Sequence, residues 1–445
     1  ADYGSVKMGS ITGYDDAFIV SKEEIEKKEL EDDLLYPYAY QGEHVKSFSK
    51  TDPEEYLIYP YHKEGEDKVQ LIPEEELSSN YPNIHSHLKS YKDELRERKD
   101  SRKYYAKGDN WYCLVRPGNF SYIEPSKLIV KGVAKSSSIG LLDEKTAFSG
   151  ANTPGFIPDS GVDLTSILGI MNSSVISLYL EQVCPSKMNG YIRFNSNNMN
   201  DTPIPEIEKE DLDALRESTE TIINLNNRRG RIHLEIEDYL GNYSDGKSLG
   251  EMYMPVEGLS DSILTDTKED RDNIKIGSVE FEETGSSLIL NVSVKYKPED
   301  DEGFDEELDR WGYYETDLMP AMNFTVGDKM KALIKEFVPV AVDEAGGFAN
   351  FREKATKTNS VVDRLEDLTL PKLDDVEQGL EKFIENKEEA EALEEEIQET
   401  DEQIDAIVFD LYDLSEEEVE TVLDSLDTPE CEKASIMEKF KEVKE

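Results

Sequence analysis

Cysteine is scarce in this 445-residue chain. Cys113, Cys184 and Cys431 are three, odd in number and far apart. That excludes a disulfide framework and a Cys-x-x-Cys zinc knuckle, and it fits a reducing cytoplasm. Long apolar runs are also lacking: no stretch of about 18 apolar residues offers a membrane span. There is no Walker loop, no glycine-rich dinucleotide turn, no His-Glu-x-x-His and no Gly-x-Ser-x-Gly. Histidine occurs five times, and only His85 and His87 are close together. Without a third ligand this pair reads as a surface or capping feature. The serines of "SSSIG" and "TAFSG" have no histidine near them in sequence. Composition therefore favours a binding module over an enzyme.

Basic residues are the most telling shortage. Lys and Arg number 49 against 99 Asp and Glu, for a formal charge of -50. Acid pairs such as Asp32-Asp33 and Asp300-Asp301 are so common that a carboxylate pair points to nothing. At low salt such a charge repels itself, and at about 1 M salt the Debye length of roughly 3 Å screens it. Acids spread over every segment fit the cytoplasm of a halophile. The alternative is an acidic interaction protein that mimics nucleic acid.

One region escapes this pattern. His85 to Asn200 carries fifteen bases and eleven acids. Its densest part is "YPNIHSHLKSYKDELRERKDSRKYY", with Lys89, Lys92, Arg96, Arg98, Lys99, Arg102 and Lys103 between flanking tyrosines. A region spared from acidification suggests contact with a polyanion.

Hydrophobic patterning divides the chain. Residues 1–205 read as mixed α/β with short strands at "EYLIYPYH" (Glu55 to His62) and "KLIVKGVA" (Lys127 to Ala134). The opening residues read as a strand and turn, so the chain is expected to begin inside a longer polypeptide. Ile84, Leu88, Tyr91 and Leu95 fall at helical spacing, which predicts one helix with Lys89, Lys92, Arg96 and Lys99 toward solvent. Leu164 to Val183 predicts an apolar core helix, and Pro203 and Pro205 end the region. A long helix is expected over 206–240, with Gly230 as a break. Residues 241–360 form an inserted α+β unit, with a β-hairpin around Thr284-Gly285. An acidic helical region, 361–445, opens with a second long helix over about Asp374 to Tyr412. The fold class is therefore α/β mixed (α+β), followed by long helices pairing as an antiparallel coiled coil around the β-rich insertion.

The chemistry this supports is nucleic-acid contact. Lysines on one helix face suit phosphates. In strong salt that electrostatic attraction shrinks, so a reader must rely on base edges, where arginine is bidentate to guanine. "GYIRFNSNNMN" adds Arg193 and Asn195, and asparagine can pair bidentately with adenine. The competing structural readings are a solvated helix face with pairs such as Glu94 with Arg98, and a turn-rich asparagine loop. Trp111, Tyr104 and Tyr105 could stack on bases, though each also reads as part of the fold.

The order of segments resembles a known family. "SITGYDDAFIV", "YLIYPY", "LIPEEELSSNYPNIHSHLKSYKDELRERKDS...NWYCLVRP", "KLIV", "LGIMNSSVISLYL" and "GYIRFNSNNMNDTPIP" together resemble the TaqI-type target-recognition domain. That domain lies C-terminal to the catalytic domain of adenine-specific DNA methyltransferases, including fused type II restriction-modification enzymes. "ETDEQIDAIVFDLYDLSEEEVETV" resembles the tail of such enzymes. The resemblance spans most of 1–240 and 361–425. It implies N6-adenine methylation with S-adenosylmethionine as donor and a flipped adenine. The family's Phe-x-Gly-x-Gly-like and Asn-Pro-Pro-Tyr motifs do not occur here, and they are expected upstream of Ala1.

The chain is therefore expected to be the DNA-reading portion of such an enzyme, acting on double-stranded DNA for an upstream or separate catalytic domain. From charge and placement, Lys89, Lys92, Lys99 and Lys103 are candidates for phosphates. Arg96, Arg98, Arg102, Arg116, Arg193 and Asn195 are candidates for base edges. The alternatives are a stand-alone specificity subunit of a type I restriction system, with the long helices as spacer, and an acidic scaffold without DNA function.

Overall fold

The computed structural model describes residues 3–65, 68–206, 209–298, 308–343, 351–352 and 354–444. The chain divides into two compact units, Ala1–Arg231 with Ala392–Glu445, and Ile232–Glu391. Both mix helices with small sheets, and a 39-residue helix, Leu373–Leu411, runs near the C-terminus.

In the first unit a five-stranded sheet has the order Gly4–Lys7, Gly155–Pro158, Lys127–Val130, Ile139–Leu142, Lys50–Thr51. Its central strand, Lys127–Val130, is buried along its whole length, as expected of a strand covered on both faces. The fully buried Lys127 donates to the carbonyls of Ile123 (3.0 Å) and Thr146 (2.8 Å), and burial pushes its pKa down to about 7. A four-stranded sheet has the order Ala147–Phe148, Leu35–Ala39, Glu55–Ile58, Ile19–Ser21. It packs around Tyr59, Trp111, Tyr112 and Phe18.

The apolar segment expected as one helix is two, Leu164–Asn172 and Ser174–Val183, bent by 67°. Among the described residues no single helix is long and apolar enough to cross a membrane. The bend lies at Ser173, which is extended (φ -64°, ψ 157°). A distant carboxylate stabilises it: Asp405 accepts the Ser174 N–H at 2.7 Å and the Ser174 hydroxyl at 2.5 Å. Burial drives the Asp405 pKa up to about 6, against the lowering effect of these bonds, and its acidic neighbours Glu432 and Glu402 add to the rise.

This gives a signed prediction. The unfolded carboxyl titrates near its ordinary value of 3.8 and the folded one near 6. Between those values the folded state binds the extra proton, so Asp405 costs stability as pH rises through the window. An asparagine can still accept the Ser174 N–H. Asp401, whose carboxyl burial and the Asp405 charge also push up, shares this effect, so in Asp405→Asn the pH-dependent loss is expected to shrink, with a gain at pH 8 relative to the parent. Denaturant midpoints measured at pH 5 and pH 8 check it; an unchanged difference between the two proteins sinks it.

The helix Lys209–Arg229 ends before Gly230. Residues 207–208 of the expected long helix lie outside the described residues. Its buried Leu215 and Ile222 do not pair only with the C-terminal helix. They share a core with Ile167, Leu168, Ile404, Ile407 and Val408. Gly169 permits the close approach, since a Cβ there would meet Thr219 Oγ1 at 2.6 Å. The coiled-coil expectation is thus replaced by a core shared with the bent helix pair.

The second unit has a sheet with the path Tyr253–Pro255, Met319–Thr325, Ser287–Tyr296, Lys275–Thr284, with Tyr314–Glu315 also on Ser287–Tyr296. The hairpin expected at Thr284-Gly285 is present, Thr284 pairing with Ser287 and Gly285 at φ +60°. Asp328–Ala341 is a helix whose Leu333, Ile334, Phe337 and Val338 enter the same core as the sheet.

Candidate nucleic-acid interface

The basic segment is not one helix. Pro82–Lys89 and Lys92–Arg96 are separate short helices, and Lys99–Asp100 pairs with Lys103–Tyr104 as a hairpin. Ile84, Leu88 and Leu95 are fully buried, as their spacing predicts. Arg98 follows the second helix and turns inward. Its side chain is only 7 % exposed and is consumed by backbone carbonyls. Nε donates to Leu95 (2.9 Å), Nη1 to Thr12 (2.7 Å), and Nη2 to Trp111 (3.0 Å) and Cys113 (2.8 Å). The guanidinium also lies 5.4 Å from the Phe18 ring and 5.0 Å from that of Tyr105.

Three candidate residues are therefore corrected. Arg98 is a clamp inside the fold: four of its five N–H donors are committed to backbone carbonyls, and its burial keeps it from a base. Lys92 is half-buried, 3.1 Å from the Glu74 carboxylate and 4.5 Å over Trp111, so it fixes the helix rather than a phosphate. Asn195 caps the helix Ser196–Asn200: its Oδ1 accepts the N–H groups of Asn197 and Asn198, each at 3.1 Å. That is the usual work of asparagine at a helix start. Trp111 is buried. The His85–His87 pair is spent in packing: His85 lies beside Trp111, and His87 bridges Ala17 O (3.1 Å) and Lys28 Nζ (3.2 Å).

Lys89, Arg96, Lys99, Arg102, Lys103, Arg116 and Arg193 are exposed. The hairpin carries Arg102 in its loop, Lys103 opposite Asp100, and Lys99 opposite Tyr104 on the other face. Its two-residue loop, Ser101-Arg102, has φ +49° and +72°. Glycine and asparagine are the residues suited to that geometry. An arginine there costs about 1 kcal/mol of backbone strain. Tyr104, 49 % exposed, carries Lys99 Nζ 4.4 Å above its ring.

Beside the hairpin base lies a cleft of about 320 Å³, lined by Thr12, Gly13, Tyr14, Tyr38, Tyr40 and Asn152 among others. Gly13 (φ +75°) sits against the hydroxyl of Tyr105, which a Cβ would meet at 2.3 Å. Arg116 borders the same cleft through its bridge to Ile11. On the far side, Asn152 O accepts the Gly132 N–H at 2.8 Å and leads to a ribbon in which Val133 pairs with Arg193. The ribbon is extended by a turn with Asn189 and Gly190 both at positive φ (62° and 73°). That turn leaves Met188 86 % exposed beside Lys187.

The chain thus presents a basic hairpin, a tyrosine-lined cleft and a basic ribbon in one compact unit. Sequence reasoning found the cations and missed the hairpin and the Met188 turn. The Asn189-Gly190 dipeptide was a usable signal for the turn; nothing in Ser101-Arg102 announces a hairpin loop. Residues 38–204 match the TaqI-like C-terminal specificity domain. The matched stretch contains the hairpin, the ribbon and half of the residues that line the cleft. Solved structures add a likeness of part of the chain. The type IIL restriction-modification enzyme MmeI in complex with DNA aligns over 51 % of this chain and 28 % of its own, at 14 % identity and a TM-score of 0.39. The type IIG restriction endonuclease BpuSI aligns over 49 % and 25 %, at 13 % identity and 0.33. The matched region is thus about a quarter of either enzyme. No curated protein matches the chain.

Proposed function

We propose that the specificity domain reads double-stranded DNA through the 99–104 hairpin, the cleft and the Val133–Arg193 ribbon. The observation that supports it best is the hairpin: a strained arginine at its tip, flanked by lysines, in a chain of net charge -50. Strain held where glycine would relax it calls for a use of the side chain. Lys89, Lys99 and Lys103 serve phosphates, which position the duplex. Arg96, Arg102, Arg116 and Arg193 serve base edges. Met188 has the place and chemistry of an apolar wedge against a base step.

The reading extends to adenine-N6 methylation within a restriction-modification system. No residue of this chain is assigned to S-adenosylmethionine, because neither family motif for donor or adenine occurs in it. Both belong, in this proposal, to an upstream or separate catalytic domain. The acidic remainder is read as adaptation to strong salt.

Replacing the hairpin loop by Ser101→Asn with Arg102→Gly separates function from folding. The favoured turn residues are expected to hold or raise stability by up to about 1 kcal/mol. Duplex affinity for the cognate site is expected to fall by roughly tenfold or more, the value of one good base contact. Fluorescence anisotropy at fixed salt checks it. Undiminished affinity with an intact fold removes the hairpin from the interface.

A further inference from the structure

The unit Ile232–Glu391 lies outside the matched family region, yet it holds a second cationic surface. A cleft of about 870 Å³ is lined by Lys268, Lys275, Lys297, Trp311, Tyr313 and Arg352, among others. Trp311 is 66 % exposed. It stands on a turn built by Asp309, whose carboxylate accepts the N–H groups of Trp311 and Tyr313, both at 2.8 Å. The Arg310 guanidinium lies 4.9 Å from the indole. Lys275 Nζ and Lys297 Nζ stand 3.9 Å and 5.2 Å from the Tyr313 ring.

Three acids near this cleft have partners of their own, while Asp272, whose carbonyl accepts the Lys297 N–H at 3.0 Å, adds negative charge beside it. Asp309 holds the turn, and Glu315 takes Ser278, Ser293 and Lys295 at 2.6–3.0 Å. Asp266 pairs with Arg271 at 2.7 Å. Among the described residues no carboxylate lies within ion-pair distance of Lys268, Lys275 or Lys297. In a chain with two acids for every base, three such lysines around two aromatic rings form a site for an anion with flat faces.

We propose that this surface binds single-stranded nucleic acid, with phosphates on Lys268, Lys275 and Lys297 and a base stacked on Trp311. The cations alone would suit any polyanion. The exposed indole favours a nucleic acid, because every base of a strand brings a flat face to stack on it and a phosphate to lie beside the lysines. It decides for a single strand, because a paired base has no free face to offer.

The chain has two tryptophans, and Trp111 is buried. Titrating the full chain with an oligothymidylate of about fifteen residues, at the lowest salt that keeps it folded, should quench the Trp311 emission saturably. Trp311→Ala should weaken binding, read by anisotropy, roughly tenfold. Lys275→Glu with Lys297→Glu should weaken it further and flatten its salt dependence. All three side chains are exposed or half-buried, so these variants should keep the fold, and duplex binding through the hairpin should be unaffected. Unaltered oligothymidylate affinity in both variants overturns the proposal. So does polyglutamate that quenches and competes as well as the oligonucleotide, which would make this an acidic-peptide surface.

Discussion

Arg98→Leu is expected to cost the first unit about 3–5 kcal/mol, the range for removing a buried hydrogen-bonded charge that holds a network together. The leucine would fill part of the space. It would leave the carbonyls of Thr12, Leu95, Trp111 and Cys113 without their shared donor. These four belong to three separate stretches of chain, so no local rearrangement can satisfy them together. An unsatisfied buried acceptor costs roughly 1–3 kcal/mol, and partial relaxation keeps the total below the sum. Arg98→Lys should recover little, because one ammonium cannot span carbonyls that the planar fork reaches from three nitrogens. The measurement is a denaturant unfolding curve in high salt. A loss below about 1 kcal/mol would refute the clamp. The variant should also loosen the adjoining hairpin and so weaken DNA binding, which sets it apart from the loop variant, where the fold is kept.

Transfer from molar salt to about 0.05 M is expected to unfold much of the chain. Screening then extends over more than 10 Å instead of about 3 Å, and the charge of -50 is felt across the whole surface. The helix Leu373–Leu411 concentrates the effect, since it carries sixteen acids and two bases, Lys382 and Lys387. Its opposing cations are few: Lys329 lies 2.8 Å from Glu381, Arg229 is 2.6 Å from Glu394, and Lys439 pairs with Glu402. The first two pairs are largely exposed and contribute about 0–1 kcal/mol each, and with the partly buried third they cannot offset sixteen acids on one helix. Circular dichroism during dialysis reads the outcome. Sodium and potassium chloride should both restore the helix signal, and sucrose should restore it poorly. A chain that keeps its full signal at 0.05 M salt contradicts salt adaptation. On the proposed reading of DNA, the same screening would weaken lysine–phosphate contacts and leave arginines such as Arg102, if they meet base edges, with the larger share.

The sequence by itself determined what depends on composition and short-range pattern. The central strand at Lys127–Val130, the hairpin at Gly285, the long helix from Leu373 and the burial of Ile84, Leu88 and Leu95 all follow from side-chain periodicity and turn chemistry. The segment of spared charge was legible for the same reason, because a count needs no fold. Tertiary structure decided which cations remain available. Arg98 and Arg102 are four residues apart in one basic run, yet one is buried under Tyr105 and the other tips a hairpin. The difference comes from carbonyls of Thr12, Trp111 and Cys113, brought together only by folding. The bend at Ser173 likewise depends on Asp405, 231 residues downstream of the Ser174 it caps. A buried polar group takes whatever partner the fold supplies, and a window of sequence cannot contain a partner that lies hundreds of residues away.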